Sequence, residues 1–569
     1  MGYKETYNRW LTSDVVDDDT KAELKSIENN EKEIEERFYR ELEFGTAGMR
    51  GIIGAGTNRI NIYNVRRASQ GVAKYVLSNG EDAAKAGVLI GYDTRNFSRT
   101  FAEETAKVLT CAGVKTYLFP IVHSVPEVSF GIRELGCSAG VMITASHNPK
   151  EYNGYKVYGP DGGQLPPDAA DVVVAAIDSY DIFDDVKFIS LDEAKEKGLL
   201  EIVSSDLDEK FLDVVQTQQQ NPEAVAEVAD TFKLIYRPIK AILNRMGFKN
   251  VLVVKEQDTE DGNFPTVKSP NPEDKEGFEI AIKMAKENDV DVIIGTDPDC
   301  DRVGIVVRDA DGIYRTLTGN QTGALLVEYI LSSKKAKGTL PENGVVIKTI
   351  VTTELAAAIA HSYGIEIMNV LTGFKYIGEK MTEFAKTGDH TYLIGFEESY
   401  GYLVGTHARD KDGVVATMLI AEMAAYYKTK GKSLYEALMD IYKKYGYYSE
   451  KTVSFVMPGK DGMEKMSQLL TDLRQTPPTK VAGMDVVLYT DYQSQTIKDT
   501  KGNVSPLKGF PKSNVLKYNL SDEKTYFIVR PSGTEPKIKL YLGTFAESFE
   551  TAEKTIEKVL EDCKKQLGL

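Results

Sequence analysis

Thr144-Ala145-Ser146-His147-Asn148-Pro149 is the stretch on which the reading of this chain turns. It follows Ala139-Gly140-Val141-Met142-Ile143, an unbroken apolar run of the kind buried on both faces of a parallel sheet. Asn148-Pro149 stops that strand, because proline removes a ladder donor and Asn-Pro favours a turn. A serine is thereby presented on a tight loop at the carboxyl end of a strand, where open α/β sheets place their ligands. Alone, the hexapeptide reads equally well as a Ser/Asn surface turn. Its surroundings tip the balance.

Upstream, residues 13–43 read as charged surface helices, with an Ile34-Phe38-Leu42 stripe at helical spacing. The Gly-rich segment Phe44-Gly45-Thr46-Ala47-Gly48-Met49-Arg50 brings backbone N–H groups, Thr46 and Arg50 to a place where an oxyanion could bind. Val88-Leu89-Ile90-Gly91 is a strand ending in Tyr92-Asp93-Thr94-Arg95; Arg95 either lines a cleft or faces water, and Arg99 is expected to face water. Asn153-Gly154-Tyr155-Lys156-Val157 resumes a strand and keeps Lys156 close to the serine. A β-helix-β rhythm continues through strands near 250–254, 290–295, 344–350 and 391–396, which makes the chain α/β. The texture changes near 448, and the chain closes with an amphipathic helix carrying Phe549, Ala552, Ile556, Leu560 and Cys563 on one face. Four domains are expected, at 1–205, 206–317, 318–447 and 448–569.

Five further loops carry chemistry. Asp297, Asp299 and Asp301 alternate just past the strand Val290–Gly295, so in an extended loop three carboxylates share one side. An all-oxygen set of this kind suits Mg²⁺, and their mutual repulsion calls for a cation. Arg530-Pro531-Ser532-Gly533-Thr534 concentrates a guanidinium, two hydroxyls and a flexible backbone after a strand, a compact phosphate cradle. Glu397 and Ser399, in Gly395-Phe396-Glu397-Glu398-Ser399, suit vicinal sugar hydroxyls; Thr372-Gly373-Phe374-Lys375 is a second such loop. His407-x-Arg409-x-Lys411 is a cationic third, in which His407 is a candidate for proton transfer.

Taken together these segments resemble the α-D-phosphohexomutase family, and most closely its phosphoglucomutase branch, which also resembles phosphopentomutase and glucose-1,6-bisphosphate synthase. Ser146 matches the family's phosphoserine loop, Asp297-x-Asp299-x-Asp301-Arg302 its Mg²⁺ loop, Glu397-x-Ser399 its sugar loop and Arg530-x-Ser532-Gly533-Thr534 its phosphate loop. The resemblance implies three α/β domains and a carboxyl-terminal α+β domain around a central cleft. It implies interconversion of α-D-glucose 1-phosphate and glucose 6-phosphate through phospho-Ser146 and a glucose 1,6-bisphosphate intermediate. In that reading Ser146 and the three aspartates hold Mg²⁺, while Lys156, Arg50 and His407 act in catalysis. Thr46, His147, Arg302, Thr372, Gly373, Lys375, Glu397, Ser399, Arg409, Lys411, Arg530, Ser532, Gly533 and Thr534 bind substrate. Mannose or pentose phosphates as substrates, a bisphosphate synthase, a metal phosphatase and a non-catalytic phosphosugar-binding protein stay open as alternatives. One departure stands out: Phe232-Lys233-Leu234-Ile235-Tyr236-Arg237-Pro238-Ile239-Lys240 is several residues shorter than the corresponding loop of relatives.

The bulk properties set outer bounds. At 569 residues with 42% hydrophobic and 27% charged content, the chain needs several cores. A net charge of −16 argues against nucleic-acid or anionic-membrane partners, so a small phosphosugar must be met by local Arg and Lys. No apolar run approaches the roughly 20 residues of a membrane span, and the amino terminus lacks a secretion signal's apolar core. Four scattered cysteines without CxxC spacing imply a cytoplasmic protein, expected as a monomer or homodimer. For the account to hold, the Ser146 hydroxyl, the acidic trio and the anion pocket must open into one cavity accessible to solvent.

Overall fold

The computed structural model describes residues 2–45, 48–237, 241–457, 459–531 and 537–568. The chain divides into two compact units, Met1–Gly319 with Phe374–Leu434, and Asn320–Gly373 with Tyr435–Leu569.

The first unit is built on two sheets. In the seven-stranded sheet, Ala139–Ile143 lies between Val88–Tyr92, its parallel neighbour, and Tyr152–Tyr158, which runs antiparallel; Gly48–Ile52 pairs with the far side of Tyr152–Tyr158. All residues of Val88–Tyr92 and Ala139–Ile143 are buried, as a strand covered on both faces requires. Helices Ile62–Ser78 and Ser98–Cys111 pack together and share a core with the sheet through Val65, Val72, Phe101, Leu109, Val141 and Tyr155. The second sheet orders Tyr314–Leu317, Val303–Arg308, Val292–Thr296, Lys233–Arg237 and Asn250–Val253, the last three mutually parallel. Against it lies Gly413–Thr429, a helix buried from Gly413 through Ala425. It is apolar nearly all round, as a helix enclosed by protein should be.

Residues before the Gly-rich segment form three helices, Tyr3–Thr12, Asp18–Ser26 and Glu31–Phe38. They are not merely surface helices. Trp10, Leu24, Ile34 and Phe38 make a small core of their own with Tyr63 and Phe183. The stripe expected to include Leu42 stops at Phe38, where the helix ends; Leu42 packs instead against the core of the first sheet. At the shortened segment, strand Lys233–Arg237 is followed by helix Ala241–Arg245, and residues 238–240 lie outside the described residues.

The second unit holds the parallel pair Gly344–Thr349 and Glu366–Val370, and an antiparallel sheet led by Tyr447–Val456, Lys537–Ala546, Tyr526–Pro531 and Leu516–Leu520. Leu470, Leu516, Phe527, Leu540, Ile556 and Leu560 form its core, closed by helix Phe549–Leu567. Ser548 caps that helix at its start, and Gly568, at φ 65°, ends it in the left-handed conformation that glycine adopts freely. Among the described residues no helix is long and apolar enough to cross a membrane.

Candidate active site

The serine loop grows directly out of the buried strand. Ser146 sits at φ 52°, a left-handed conformation that costs a non-glycine residue about 1–2 kcal/mol. Its hydroxyl donates to Asp297 Oδ2 at 2.6 Å and lies 3.2 Å from His147 Nδ1. Gly154 of the neighbouring strand permits the close approach: a Cβ there would stand 2.4 Å from the Thr144 carbonyl oxygen. Serine and acidic trio therefore meet, as the sequence reading requires. The condition that the Ser146 hydroxyl open to solvent is not met in this conformation, because Ser146 keeps only 3% of its surface; the account then requires the Ser146–Asp297 contact to part before the serine can act. The cause is local: its hydroxyl turns inward to Asp297 rather than outward to water.

The acidic loop follows Val292–Thr296, every residue of which is buried. The chain reverses through Cys300, at φ 53°, and Asp297 Oδ1 accepts from the backbone N–H of Asp301 and Arg302 at 3.1 and 3.0 Å. Asp297, Asp299 and Asp301 are almost wholly buried, with ligand atoms within 4.8 Å of one another. They are not unneutralised, as their spacing alone suggested. Lys156 Nζ lies 2.8 Å from Asp299 and 3.3 Å from Asp301, and Lys411 Nζ lies 3.1 Å from Asp301 and 3.2 Å from Asp410. Burial acts to raise Asp301, but Lys411, Lys156 and Arg302 outweigh it and hold its carboxyl well below the usual range. Asp297 goes the other way, raised by burial and by Asp299 and Asp301. Among the described residues, Asp299 Oδ1 and Asp301 Oδ1 are buried without a hydrogen-bond partner. Orphaned carboxylate oxygens in a converging all-oxygen set fit a hard divalent cation.

A second cluster, His123, Glu127 and Asp208, is also compact. Its groups have ordinary partners: His123 Nδ1 meets the Ile121 carbonyl at 2.9 Å and Nε2 meets Asp208 at 3.0 Å, while Glu127 accepts from Ser124 in a capping box.

The remaining candidates divide into those that reach the serine and the trio and those that do not. Arg50, on strand Gly48–Ile52, donates to Asn148 Oδ1 of the serine loop at 3.1 Å. Burial, with Arg302 and Arg50 nearby, pushes His147 well below the usual imidazole value, so its ring is neutral at pH 7. Arg302 pairs with Glu273 at 2.9 Å and approaches Asp301 at 3.9 Å. His407 turns away: its Nε2 bonds Asp412 at 2.6 Å, and Asp412 caps helix Gly413–Thr429. Arg409 is buried, its guanidinium donating to the Thr406 and Ala408 carbonyls. Glu397 is buried at the end of Thr391–Phe396, with Ser399 in the turn that follows, and Lys375 lies over the Tyr376 ring. In the second unit, Thr372 Oγ1 is buried without a partner among the described residues, Gly373 stands at φ 122°, and Arg530 is the penultimate residue of strand Tyr526–Pro531. Thr46, Ser532, Gly533 and Thr534 lie outside the described residues.

Three groups were missed or undervalued by sequence reasoning. Asp410, which holds Lys411 and accepts from Gln164, was legible only as one acid in an Arg-Asp-Lys-Asp run. Asp93 and Arg95 were read only as the end of a strand, with Arg95 either lining a cleft or facing water, yet both side chains are fully buried and Arg95 donates to the carbonyls of Ser146, Asn148, Pro149 and Tyr152. Arg99 does face water, beside Glu103.

Comparison with known proteins gives the family of the chain. The family model described as phosphoglucomutase/phosphomannomutase, alpha/beta/alpha domain I, matches residues 41–182; its domain II matches 211–312 and its domain III 318–445. The phosphoglucomutase of Staphylococcus haemolyticus is 36% identical over 530 residues, 92% of this chain and 94% of that one. That of Staphylococcus saprophyticus is 34% identical over 556 residues, 97% and 98% of the two chains. Among solved structures, parafusin (phosphoglucomutase) from Paramecium superposes with a TM-score of 0.67 at 18% identity, covering 93% of this chain and 96% of its own. A phosphoglucomutase/phosphomannomutase family protein of Burkholderia thailandensis gives 0.62 at 19%, covering 91% and 96%. At those identities the two structures speak for the fold alone.

Proposed function

From the premise that this chain belongs to the phosphoglucomutase/phosphomannomutase family, we propose that Ser146 is the group through which it passes a phosphoryl group between the two ends of a hexose phosphate. The chain is an intramolecular phosphotransferase that interconverts α-D-glucose 1-phosphate and glucose 6-phosphate. One observation carries the role of Ser146: its hydroxyl, at the end of one sheet, touches Asp297, at the end of another.

In this reading phospho-Ser146 donates to a free sugar hydroxyl, giving glucose 1,6-bisphosphate, and takes back the other phosphate after the sugar has turned. Phosphoryl transfer asks for in-line placement and charge neutralisation more than for covalent help. Asp297, Asp299 and Asp301, with a Ser146 oxygen, would hold Mg²⁺, which neutralises charge on the transferring group. Lys156 and Lys411 stand within 3.3 Å of the same carboxylates, close enough to steady the transferring oxygens and to move a proton. Arg50 and His147 flank the serine, with Arg302 one residue beyond the trio. His407 contributes through Asp412, as a support for the loop that carries Lys411. Glu397, Ser399, Lys375, Thr372 and Gly373 take sugar hydroxyls; Arg530, Ser532, Gly533, Thr534 and Thr46 take the distal phosphate; Arg409 shapes the cationic loop. Domains at 1–205, 206–317, 318–447 and 448–569, a cytoplasmic location and a monomer or homodimer complete the proposal.

Because Ser146 is enclosed, its phosphorylation requires the bond to Asp297 to open. The test is a coupled assay on glucose 1-phosphate with Mg²⁺ and a trace of glucose 1,6-bisphosphate, run on the protein and on Ser146→Ala. Turnover lost in the variant, with its thermal unfolding unchanged, is expected. Interconversion retained by Ser146→Ala sinks the assignment.

A further inference from the structure

We propose that Asp93 and Arg95 are the positioning pair of the transfer: they grip the Ser146 backbone from both sides and so fix where its hydroxyl points. The inference rests on Ser146 being the phosphoryl carrier. It adds two residues that never touch the reacting atoms yet decide where those atoms stand.

Both grips are visible. On one side, Asp93 Oδ2 accepts from Thr144 Oγ1 at 2.6 Å. With its single proton committed there, Thr144 Oγ1 offers a lone pair, and Ser146 N–H donates to it at 2.8 Å. On the other side, Arg95 Nη2 donates to the Ser146 and Asn148 carbonyls at 2.6 and 2.5 Å, and Nη1 to those of Pro149 and Tyr152 at 2.9 and 3.1 Å. The two ends of one guanidinium thus hold four carbonyls of the loop, and the pair is joined where Arg95 Nε faces Asp93 at 3.4 Å. Asp93 is itself fixed by Ser98 Oγ and by the Arg95 N–H, at 2.7 and 2.9 Å. The Phe264 ring covers the guanidinium at 5.1 Å.

General stability does not call for such an arrangement. A buried ion pair is often no better for stability than apolar residues of the same volume, so a fully buried Asp–Arg pair is weak as a mere fold support. What it does supply is a loop conformation that Ser146 would not hold by itself, since φ 52° is unfavourable for an L-residue. Lysine cannot replace arginine here, because one ammonium has three donors at a single point and the guanidinium spans the loop with a planar fork.

Loss of aim shows in the chemical step and not in affinity. Misplacement of a reacting group by about 1 Å costs on the order of 100-fold in rate. Arg95→Lys should therefore lower kcat by roughly 100-fold, with KM for glucose 1-phosphate inside about threefold of the parent. Thr144→Val, which cuts the Asp93 relay and leaves Arg95 in place, should show a loss of the same kind, about tenfold. Both rates are taken per phosphorylatable site, counted by the stoichiometry of phospho-Ser146 formed from glucose 1,6-bisphosphate, so misfolded molecules do not enter. Wild-type kcat per site in both variants, or a raised KM with kcat unchanged, overturns the proposal. If the parent protein itself takes no phosphoryl group on Ser146, the underlying reading has failed instead, and this one with it.

Discussion

Asp301→Asn is the sharpest perturbation the site offers. In the folded protein Asp301 Oδ2 receives Lys156 at 3.3 Å and Lys411 at 3.1 Å, all three groups being buried. Removing one partner of a buried pair costs about 3–5 kcal/mol, because it strands the other charge. Each lysine keeps a second carboxylate, Asp299 at 2.8 Å for Lys156 and Asp410 at 3.2 Å for Lys411, so the lower end, about 3 kcal/mol, applies. At the roughly 2 °C per kcal/mol of a large domain, the melting point of the first unit should fall by about 6 °C. The single tryptophan, Trp10, lies in that unit's buried amino-terminal cluster, so its fluorescence follows the right transition. The sign with pH is fixed. The lysines hold the folded Asp301 carboxyl below its unfolded value, so its stabilisation is full above about pH 4 and fades as pH falls through the folded value. The gap between parent and variant should therefore persist unchanged from about pH 5 to pH 8. A Trp10 transition within about 1 °C of the parent, or a gap that closes inside that window, refutes the compensation argument.

Other consequences are independent of Asp301. Glu397→Gln weakens a charged contact to sugar hydroxyls and should raise KM about tenfold with little change in kcat; unchanged KM in initial-rate assays counts against the sugar loop. Glu450, on strand Tyr447–Val456, is pushed up to about 7 by burial. A carboxyl raised on folding stabilises fully below its unfolded value of about 4.3 and loses that contribution as pH rises towards 7, here roughly 3.5 kcal/mol. Glu450→Gln should flatten the pH dependence of unfolding in the second unit between about pH 5 and 8, and an unaltered slope would show the argument wrong. Gly154→Ala should destabilise the first unit and slow turnover, since its Cβ would press on the Thr144 carbonyl at 2.4 Å and the Met49 carbonyl at 2.9 Å. A melting point and rate equal to the parent's would mean that this strand gives way easily.

What could be read in the sequence was whatever is contiguous. Ala139–Ile143 and Val292–Thr296 announce themselves as buried strands, and each delivers its functional residues within a few positions, so the serine and the acidic trio were found together. Their charge balance was not legible, because Lys411 reaches Asp301 from a distant loop and nothing local marks the pairing. Arg95 shows the opposite failure. A turn of the type Asp-Thr-Arg-Asn is normally solvated, and only the fold reveals that the loop carbonyls of Ser146 to Tyr152 need its guanidinium. His407 was legible as an unusual histidine but not as one whose Nε2 is committed to a helix cap. The enclosure of Ser146 was invisible for the same reason, since it depends on where Asp297 arrives. Local pattern names the elements, and long-range pairing decides which of their side chains are free to act.

The most direct measurement follows the phosphoryl group itself. The protein is incubated with Mg²⁺ and glucose 1,6-bisphosphate carrying isotope-labelled phosphates; one portion is quenched at once and another after a chase with unlabelled glucose 1-phosphate, and both are digested and mapped by peptide mass spectrometry. A single labelled phosphoryl group on the peptide containing Ser146, replaced during the chase by an unlabelled one as fast as the enzyme turns over, is the predicted result. Phosphate found on another residue, or on Ser146 but resistant to the chase, contradicts it.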